Sequence, residues 1–480
     1  MRVEHAGGCR ILCHAPVRAS DIAMTLLPLS FNQQRLLFEE AIAQTCLQPS
    51  RAWNACLLHQ LTGPVDGEAL GQALHALVRR HAALRTAVWP AASPARRLSA
   101  MKTYFQTGRW PLNLYRHSVV DEVSVRLSLH ALDGQARSMA DGALGTLIDR
   151  DRLFDYSAPP LLRATLVQLN RDSHLVGIVV PHLVCDLWSQ QVIIRDLVHL
   201  YGRAIGREPP IPLPVAPPYH EYVRTLHARV DTPAFVASSQ YWRTQWDAFA
   251  DTQVGYTELH PADVGAGGTD RTAVESLAFD PQTSNRIRAR LRQTRCTLCT
   301  LVTAAGALEL GRATARSRVA FWCHYSNRLE TGMQDTVGWF NHSHLLGLDF
   351  SGRPTGIEVL RRARQTIFDG FAHHQFPVAL LFHRFGHRWP SSEGTVAFDA
   401  IRRTATPVRV GDLVVTPSRV GLAPRLSLKI TAVDTGSELC VEAAYAASRL
   451  DRTLICQLLA GIRATMLRLL DEPNEPVSDN

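Results

Sequence analysis

A histidine followed four residues later by an aspartate, where an apolar strand gives way to a helix, is the part of this sequence best suited to chemistry. His182 and Asp186 lie within residues 174–201, HLVGIVVPHLVCDLWSQQVIIRDLVHLY. An imidazole changes charge near neutral pH, so at a strand end facing a cleft it suits the work of a general base. The aspartate would fix the local backbone around it. Two cysteine groupings compete for attention. Cys296 and Cys299 form a CxxC, but it opens the apolar stretch CTLCTLVTAAGALEL with no second pair nearby, so a core helix is expected rather than a redox or zinc site. Cys9, Cys13 and His14 lie in an aperiodic N-terminal stretch, and no metal is expected there.

Elements of alternating type must hold this histidine in place. Leu175 to Val180 is a β-branched, apolar run that ends at Pro181, the pattern of a buried strand. Trp188, Val192, Ile194, Leu197, Val198 and Tyr201 then recur every three to four residues, as on an amphipathic helix. Upstream, Phe154 to Leu169 reads as a turn made by Asp155 and Ser157, then a strand lying beside the one before His182. Nearer the start, Ser30 caps a helix with Leu36, Leu37 and Phe38 on its apolar face. WNACLLHQLTG reads as a strand, and Asp66 caps a helix ending in RRHAALRTAVW, where His81 and Arg85 are expected to bond locally.

The segment 208–218, EPPIPLPVAPP, can form neither helix nor central strand and should run extended. Two helices follow, PYHEYVRTLHARV and SQYWRTQW, then a glycine-rich loop at 264–270. RVAFWCHYSNRLE is a strand ending at Asn327 and Arg328. The stretch 425–451 alternates as two antiparallel strands about a DTG turn, and Asp451 caps a final helix.

The chain's 480 residues are 46% hydrophobic and 20% charged, enough for two or three ordinary domains or one two-lobed enzyme. No uninterrupted apolar run reaches the roughly 18–20 residues that span a bilayer, and the start has no long apolar centre of a secretory signal. A cytoplasmic location is expected, with its ten cysteines reduced. The charge of +8 is spread along the chain without zinc-finger spacings or RNP-like motifs, so nucleic acid is not expected as a partner. A solvated, arginine-rich surface accounts for the charge, and a basic face could also attract an acidic partner.

PHLVCDLWS resembles the HHxxxDGWS signature of the condensation domains of nonribosomal peptide synthetases, part of a wider acyltransferase superfamily. His182 falls on its second histidine and Asp186 on its aspartate, while Pro181 and Leu187 replace the first histidine and the glycine. Other phrases resemble the family's in the same order. LPLSFNQQRLLFEE is similar to S-x-x-Q-x-R-L-W-F, RRHAALRT to RHExLRT, and FDYSAPPLLRA to F-D-L-x-x-x-P-L-L-R-A. Asn327 and Arg328 match an Asn-Arg pair, TVGWFNHSHLLGL resembles I-G-x-F-V-N-T-L-P-L, and HHQFP is similar to H-Q-x-x-P.

The resemblance implies an α/β fold of two chloramphenicol-acetyltransferase-like lobes, a V-shaped pseudo-dimer with a central tunnel. The organisation expected is a leader or docking segment over 1–25, an N-terminal lobe over 26–207, a linker over 208–218 and a C-terminal lobe over 219–480. His182 would be catalytic, with Asp186 and Arg328 supporting it through an ion pair reaching across the lobes. Leu187, Trp188, His324, Gly338, His342, Ser343 and Gln375 are the tunnel and substrate candidates. His342 and Ser343 stand where the family has asparagine and threonine, which either alters substrate choice or is neutral packing. Leu187 would narrow the approach of a phosphopantetheine arm.

The implied reaction is acyl transfer from a thioester on an acyl or peptidyl carrier protein to an amine or hydroxyl on a small-molecule or carrier-tethered nucleophile. The chain would be a free-standing enzyme acting in trans, since adenylation and carrier motifs are not apparent. The phosphopantetheine arm belongs to the partner; no cofactor, metal or membrane is expected. Two alternatives remain open: an acyl-CoA-dependent acyltransferase, and an inactive docking platform suggested by Pro181 and Leu187.

Overall fold

The computed structural model describes residues 26–45, 54–131, 153–207, 211–259, 272–328, 332–386, 395–403, 407–417 and 428–477. The expected leader, with Cys9, Cys13 and His14, and the glycine-rich loop lie outside them. The chain divides into two compact units. One comprises Met1–Val230, Ser326–Phe340 and Ala405–Val420, the other Asp231–Tyr325, Asn341–Thr404 and Gly421–Asn480.

In the first unit the strands β1 (Leu27–Pro28), β3 (Thr86–Pro90) and β4 (Tyr115–Val119) form a small sheet in the order β1-β4-β3. The larger sheet holds β2 (Asn54–Thr62), β5 (Leu127–Ala131), β6 (Arg163–Asn170), β7 (Ser173–Pro181), β12 (Val408–Val410) and β13 (Leu413–Pro417), in the order β12-β13-β2-β7-β6-β5. The β7 strand contains the apolar run before His182. It is antiparallel to both β2 and β6, and every residue from His174 to Pro181 is buried. An apolar strand in such a central place satisfies its backbone on both edges and its side chains on both faces.

Helices of this unit begin where the sequence offers caps. The helix α1 (Phe31–Thr45) starts with a reciprocal box: Gln33 N–H donates to Ser30 Oγ, and Ser30 N–H donates to Gln33 Oε1 at 2.9 Å. Asp66 Oδ1 accepts the Glu68 and Ala69 N–H groups at the start of α2 (Gly67–Arg80). The unit also holds α3 (Pro94–Thr107), α4 (Leu187–Ala204) and α5 (Tyr219–Ala228). Arg85 bonds locally, as expected, whereas His81 bonds a residue 115 positions away, which corrects the expectation of a local bond there. His81 Nε2 lies 3.0 Å from buried Asp196, and Arg85 Nε donates to the Val78 carbonyl. Burial keeps His81 neutral, lowering its pKa despite the carboxylate. Burial opposes ionisation of Asp196, but bonds from His81, Arg80 and Arg195 hold its pKa low.

The second unit is built on a sheet ordered β10-β9-β11-β14-β15-β8. Its strands are β8 (Thr272–Ala278), β9 (Arg318–Tyr325), β10 (His342–Asp349), β11 (Val396–Arg402), β14 (Leu428–Asp434) and β15 (Leu439–Ala446). The β14 and β15 strands are the expected antiparallel pair about the DTG turn, where Gly436 has φ +92°. Around this sheet lie α6 (Pro233–Phe249), α7 (Pro281–Thr294), α8 (Leu298–Thr314), α9 (Gly356–Ala372), α10 (Val378–Phe385) and α11 (Arg452–Asp471). Cys299 is inside α8 and Cys296 just precedes its cap, so the CxxC opens a core helix. Gly306 on α8 is required by packing, because a Cβ there would lie 2.1 Å from a Phe398 ring carbon. Asp451 caps α11 as expected, and this helix is long and apolar enough to cross a membrane by length and composition. It is not an uninterrupted apolar run, since Gln457, Arg463 and Arg468 fall within it. Its Ile455, Leu458, Leu459, Ile462, Met466 and Leu469 are buried within this unit.

The expected boundary at 208–218 is displaced. Residues 219–230 cluster with the first unit, and two later pieces, Ser326–Phe340 and Ala405–Val420, return to it. One of these returns is explained by strand pairing: β13 continues the larger sheet antiparallel to β2. Residues 211–218 run extended, as the prolines dictate.

Two outcomes follow for stability. Gly306→Ala gains up to about 1 kcal/mol of helix propensity but overpacks the Phe398 ring. A net loss of about 1–2 kcal/mol is expected in urea unfolding. Burial lowers His59 to about 4, and burial with His220 lowers His117 to about 4. Unfolded rings protonate near the ordinary value of about 6.5, so between those values the unfolded chain binds more protons. Stability therefore falls as pH drops from about 6.5 to about 4, by up to about 3 kcal/mol per ring. His59→Leu should flatten part of that loss when unfolding is followed across this range.

Candidate active site

His182 stands one residue beyond the end of β7, at the start of a single 3-10 turn, His182–Val184. Pro181 ends the strand with φ −66°, its ordinary ring-locked value, so it fits the backbone without distortion. The His182 ring is half-buried and edge-on to Trp339, with ring centroids 4.5 Å apart. Beneath the turn Leu183, Val184 and Cys185 are fully buried, and Gln33 Nε2 donates to the Leu183 carbonyl at 2.8 Å. The first family-like phrase thus supports the turn directly. Burial pushes the Cys185 thiol well up, as does the neighbouring Asp186 charge, so it is no nucleophile.

Asp186 is entirely committed to structure. As N-cap of α4 its Oδ1 accepts Ser189 N–H at 2.8 Å, and the same oxygen receives Arg328 Nη2 at 2.7 Å. Its Oδ2 accepts Phe340 N–H at 3.0 Å, while its own N–H donates to the Gly338 carbonyl. Arg328 is 0% exposed. Its Nη1 donates to the carbonyls of Met333 (3.0 Å) and Thr336 (2.6 Å), and its Nη2 also donates to Ser189 Oγ at 2.7 Å. The guanidinium lies 4.1 Å from the Phe340 ring centroid. The expected Asp186–Arg328 ion pair therefore forms, but inside one unit: the segment carrying Arg328 belongs to the first unit, which corrects the expectation of a pair reaching across the lobes.

Two residues to which the sequence assigned no role complete this network. Ser189 Oγ donates to the Gly338 carbonyl at 2.7 Å and accepts Gly338 N–H at 3.0 Å. Tyr219 hydroxyl donates to the Trp339 carbonyl at 2.6 Å, and burial pushes its pKa far up. The Tyr219 ring also explains Gly338, where a Cβ would sit 2.2 Å from Tyr219 Cδ2. The terminal serine of PHLVCDLWS was the available signal for Ser189. Nothing in the local sequence pointed Tyr219 at Trp339.

Leu187 is the first residue of α4 and is 44% exposed. Its backbone is not among those with positive φ, so no glycine is demanded there. Trp188, 38% exposed, donates from Nε1 to the Gln334 carbonyl at 2.9 Å.

The remaining candidates are in the second unit. His324 on β9 and Ser343 on β10 are Cα partners across the strand pair, both half-buried. His324 Nδ1 lies 3.7 Å from Asp399, which also pairs with Lys429 at 3.0 Å. Neither Asp399 nor Lys429 was singled out from sequence, although a charge inside VAFDAIR or LKITAV was a visible break in an apolar strand. His342 is buried, with Nδ1 3.2 Å from the His374 carbonyl, and Gln375 is half-buried in the segment between α9 and α10. Among the described residues no cluster of three or more His, Cys, Asp or Glu could hold a metal.

The histidine at the strand end stands in a turn locked by a buried Asp–Arg pair on an α/β scaffold, and comparison with known proteins shows the family. The condensation-domain family model matches residues 24–480, and the chain belongs to this family, whose members work in nonribosomal peptide and antibiotic biosynthesis and form amide or ester bonds. Chondramide synthase cmdD of Chondromyces crocatus is 26% identical over 483 residues, 98% of this chain and 11% of that protein. The chain spans about a tenth of the length of such curated relatives. The SgcC5 protein of Streptomyces globisporus superposes with a TM-score of 0.72 at 21% identity, covering 94% of this chain and 100% of that one. The X-domain of teicoplanin biosynthesis, in its complex with OxyB, superposes at 0.73 with 19% identity and 96% of each chain covered. These likenesses agree with the expected α/β condensation-type fold.

Arg328→Ala strands the Asp186 carboxylate in the core and should cost about 3–5 kcal/mol. Arg328→Lys should recover only a small part, since a single ammonium cannot reproduce the planar fork that reaches Asp186, Ser189, Met333 and Thr336. Urea midpoints of the two variants check this.

Proposed function

We propose that this chain transfers an acyl group from a phosphopantetheine thioester on an acyl or peptidyl carrier protein to an amine or hydroxyl acceptor. The observation that carries this reading is the contrast within one turn. Asp186 and Ser189 are buried and heavily bonded, whereas His182 is only partly buried and its ring lies edge-on to Trp339.

In this reading the acceptor N–H or O–H approaches the thioester carbonyl beside His182. The imidazole takes the acceptor's proton as the new C–N or C–O bond forms. Collapse of the tetrahedral intermediate breaks the C–S bond, and the departing thiolate takes a proton back from the imidazolium to leave a free thiol on the carrier. Thiolate is a good leaving group, so no second acid is required, which accords with Pro181 in place of the family's first histidine. Asp186, Arg328, Ser189 and Gly338 act by holding the turn. Trp188, Leu187, His324, His342, Ser343 and Gln375 are proposed to shape the space for acyl and acceptor groups. The arm is the carrier's, and the enzyme is proposed to need no cofactor of its own. The cysteines of the described residues are all free thiols, which supports a reducing, cytoplasmic setting.

A docking-platform reading is favoured by one observation: the similar X-domain is known in complex with a partner protein, OxyB. Acyl-CoA is the alternative donor.

The purified protein is incubated with an acyl-loaded carrier, or the matching acyl-CoA, and candidate nucleophiles, and the carrier's intact mass is followed. Carrier unloading should require the acceptor, and His182→Ala should reduce it at least 100-fold without shifting the thermal midpoint. Unloading unchanged by His182→Ala would sink the catalytic assignment, and carrier binding without turnover would establish the platform. Faster turnover of acyl-CoA than of carrier would replace the donor.

A further inference from the structure

The helix α3 is well made yet serves no core. Ser93 Oγ caps its start by accepting Arg96 N–H, Pro94 occupies its first turn, and Gly108 ends it in the left-handed region at φ +72°. None of its fourteen residues is buried. It is moored by Tyr104, whose ring meets those of Phe38 and Trp110 edge-on. Away from that mooring, Leu98 (53% exposed) and Phe105 (52% exposed), two turns apart, share one side of the helix. Lys102 lies between them in sequence and is exposed, as is Arg96 near the helix start. An amphipathic helix normally buries its apolar stripe against its own domain.

Along the chain, the charge on either side of this stripe is of one sign. Between Glu68 and Asp121 the chain has no acidic residue, while Arg79, Arg80, Arg85, Arg96, Arg97, Lys102, Arg109 and Arg116 fall inside it. Several are internally engaged: Arg80 with Asp196, Arg85 with backbone carbonyls, and Arg116 with Asn113. Arg96, Lys102 and Arg109 are exposed. The second unit has a basic helix too, α7, with Arg286, Arg288, Arg290 and Arg292, but α7 buries Ile287 and Leu291. Positive charge joined to an unburied apolar pair thus distinguishes α3 from α7.

We infer that the exposed face of α3 is the docking surface for the acidic, helical face of the acyl carrier protein, with Leu98 and Phe105 as apolar anchors and Arg96, Lys102 and Arg109 as its cationic rim. This rests on the carrier-dependent reading above and names the surface that would serve it. Charge complementarity selects the occupant: the carrier's attached arm begins at a phosphodiester, an anion at neutral pH, so a carrier presents negative charge at the surface it offers. Apolar residues ringed by cations match a partner that brings a small apolar contact inside an acidic rim.

The test uses the full-length protein and a holo carrier protein loaded with an octanoyl group. Binding is measured by fluorescence anisotropy of the labelled carrier from 25 to 300 mM salt. Wild type should bind, with affinity falling steeply as salt rises. The double variant Arg96→Glu/Lys102→Glu and, separately, Leu98→Ser/Phe105→Ser should each weaken binding at least tenfold. The matched charge reversal Arg290→Glu/Arg292→Glu on α7 should change it less than twofold. All three alter exposed side chains and should keep the wild-type melting temperature.

Equal loss in the α7 variant would overturn the surface in favour of net charge alone. Undiminished binding by both α3 variants would overturn it while leaving the carrier reading intact. Wild-type protein that binds no carrier would defeat both readings together. If it instead binds vesicles of 30% phosphatidylserine in phosphatidylcholine through α3, the helix is a membrane contact and the inference fails.

Discussion

Removing a guanidinium and a carboxylate from water costs several kcal/mol per ion, so a buried pair depends on further polar groups gathered around it. Both Asp186 carboxylate oxygens and both terminal Arg328 nitrogens are answered, by Ser189, Phe340 N–H and the carbonyls of Met333 and Thr336 as well as by each other. The pair thereby fastens the start of α4 to a segment about 150 residues later. Because the His182 turn is the short piece of chain between β7 and α4, fixing both of its ends fixes the imbalance within it: a saturated aspartate and a presented histidine. Two residues four apart in a single motif are thus placed differently, one sealed in a bonded network and one only partly buried.

The same constraint accounts for the two departures from the family's motif. Proline at 181 is the last residue of β7, where its fixed φ is already what the strand end adopts. Leucine at 187 is the first residue of α4, a position with ordinary helical backbone and an exposed side chain. Neither residue disturbs the Asp186 network, which makes its bonds through residue 186 itself and through 189, 328, 338 and 340. Gly338 differs in kind, since its place is dictated from within by the ring of Tyr219.

Polar groups in the second unit follow a looser logic. His324, Asp399 and Lys429 gather on adjacent strands β9, β11 and β14, with Ser343 directly across from His324. These side chains are half-buried rather than sealed, so they keep contact with solvent and carry less of the desolvation cost that makes the Asp186 pair indispensable.

Whatever depends on a few neighbouring residues was legible in the sequence: the caps at Ser30, Asp66 and Asp451, the apolar strand before His182, the extended prolines and the DTG hairpin. Each arises from a bond or a periodicity closed within about four residues or across one tight turn, so the chain declares it locally. The family's motif order supplied Asp186 with Arg328 as well. Tertiary structure alone decided that residues 326–340 and β13 return to the first unit, that Tyr219 demands Gly338, and that Asp399 and Lys429 join His324. Periodicity reveals which face of an element is apolar, but not which distant element will cover it, because that choice is made by packing and desolvation over the whole folded chain.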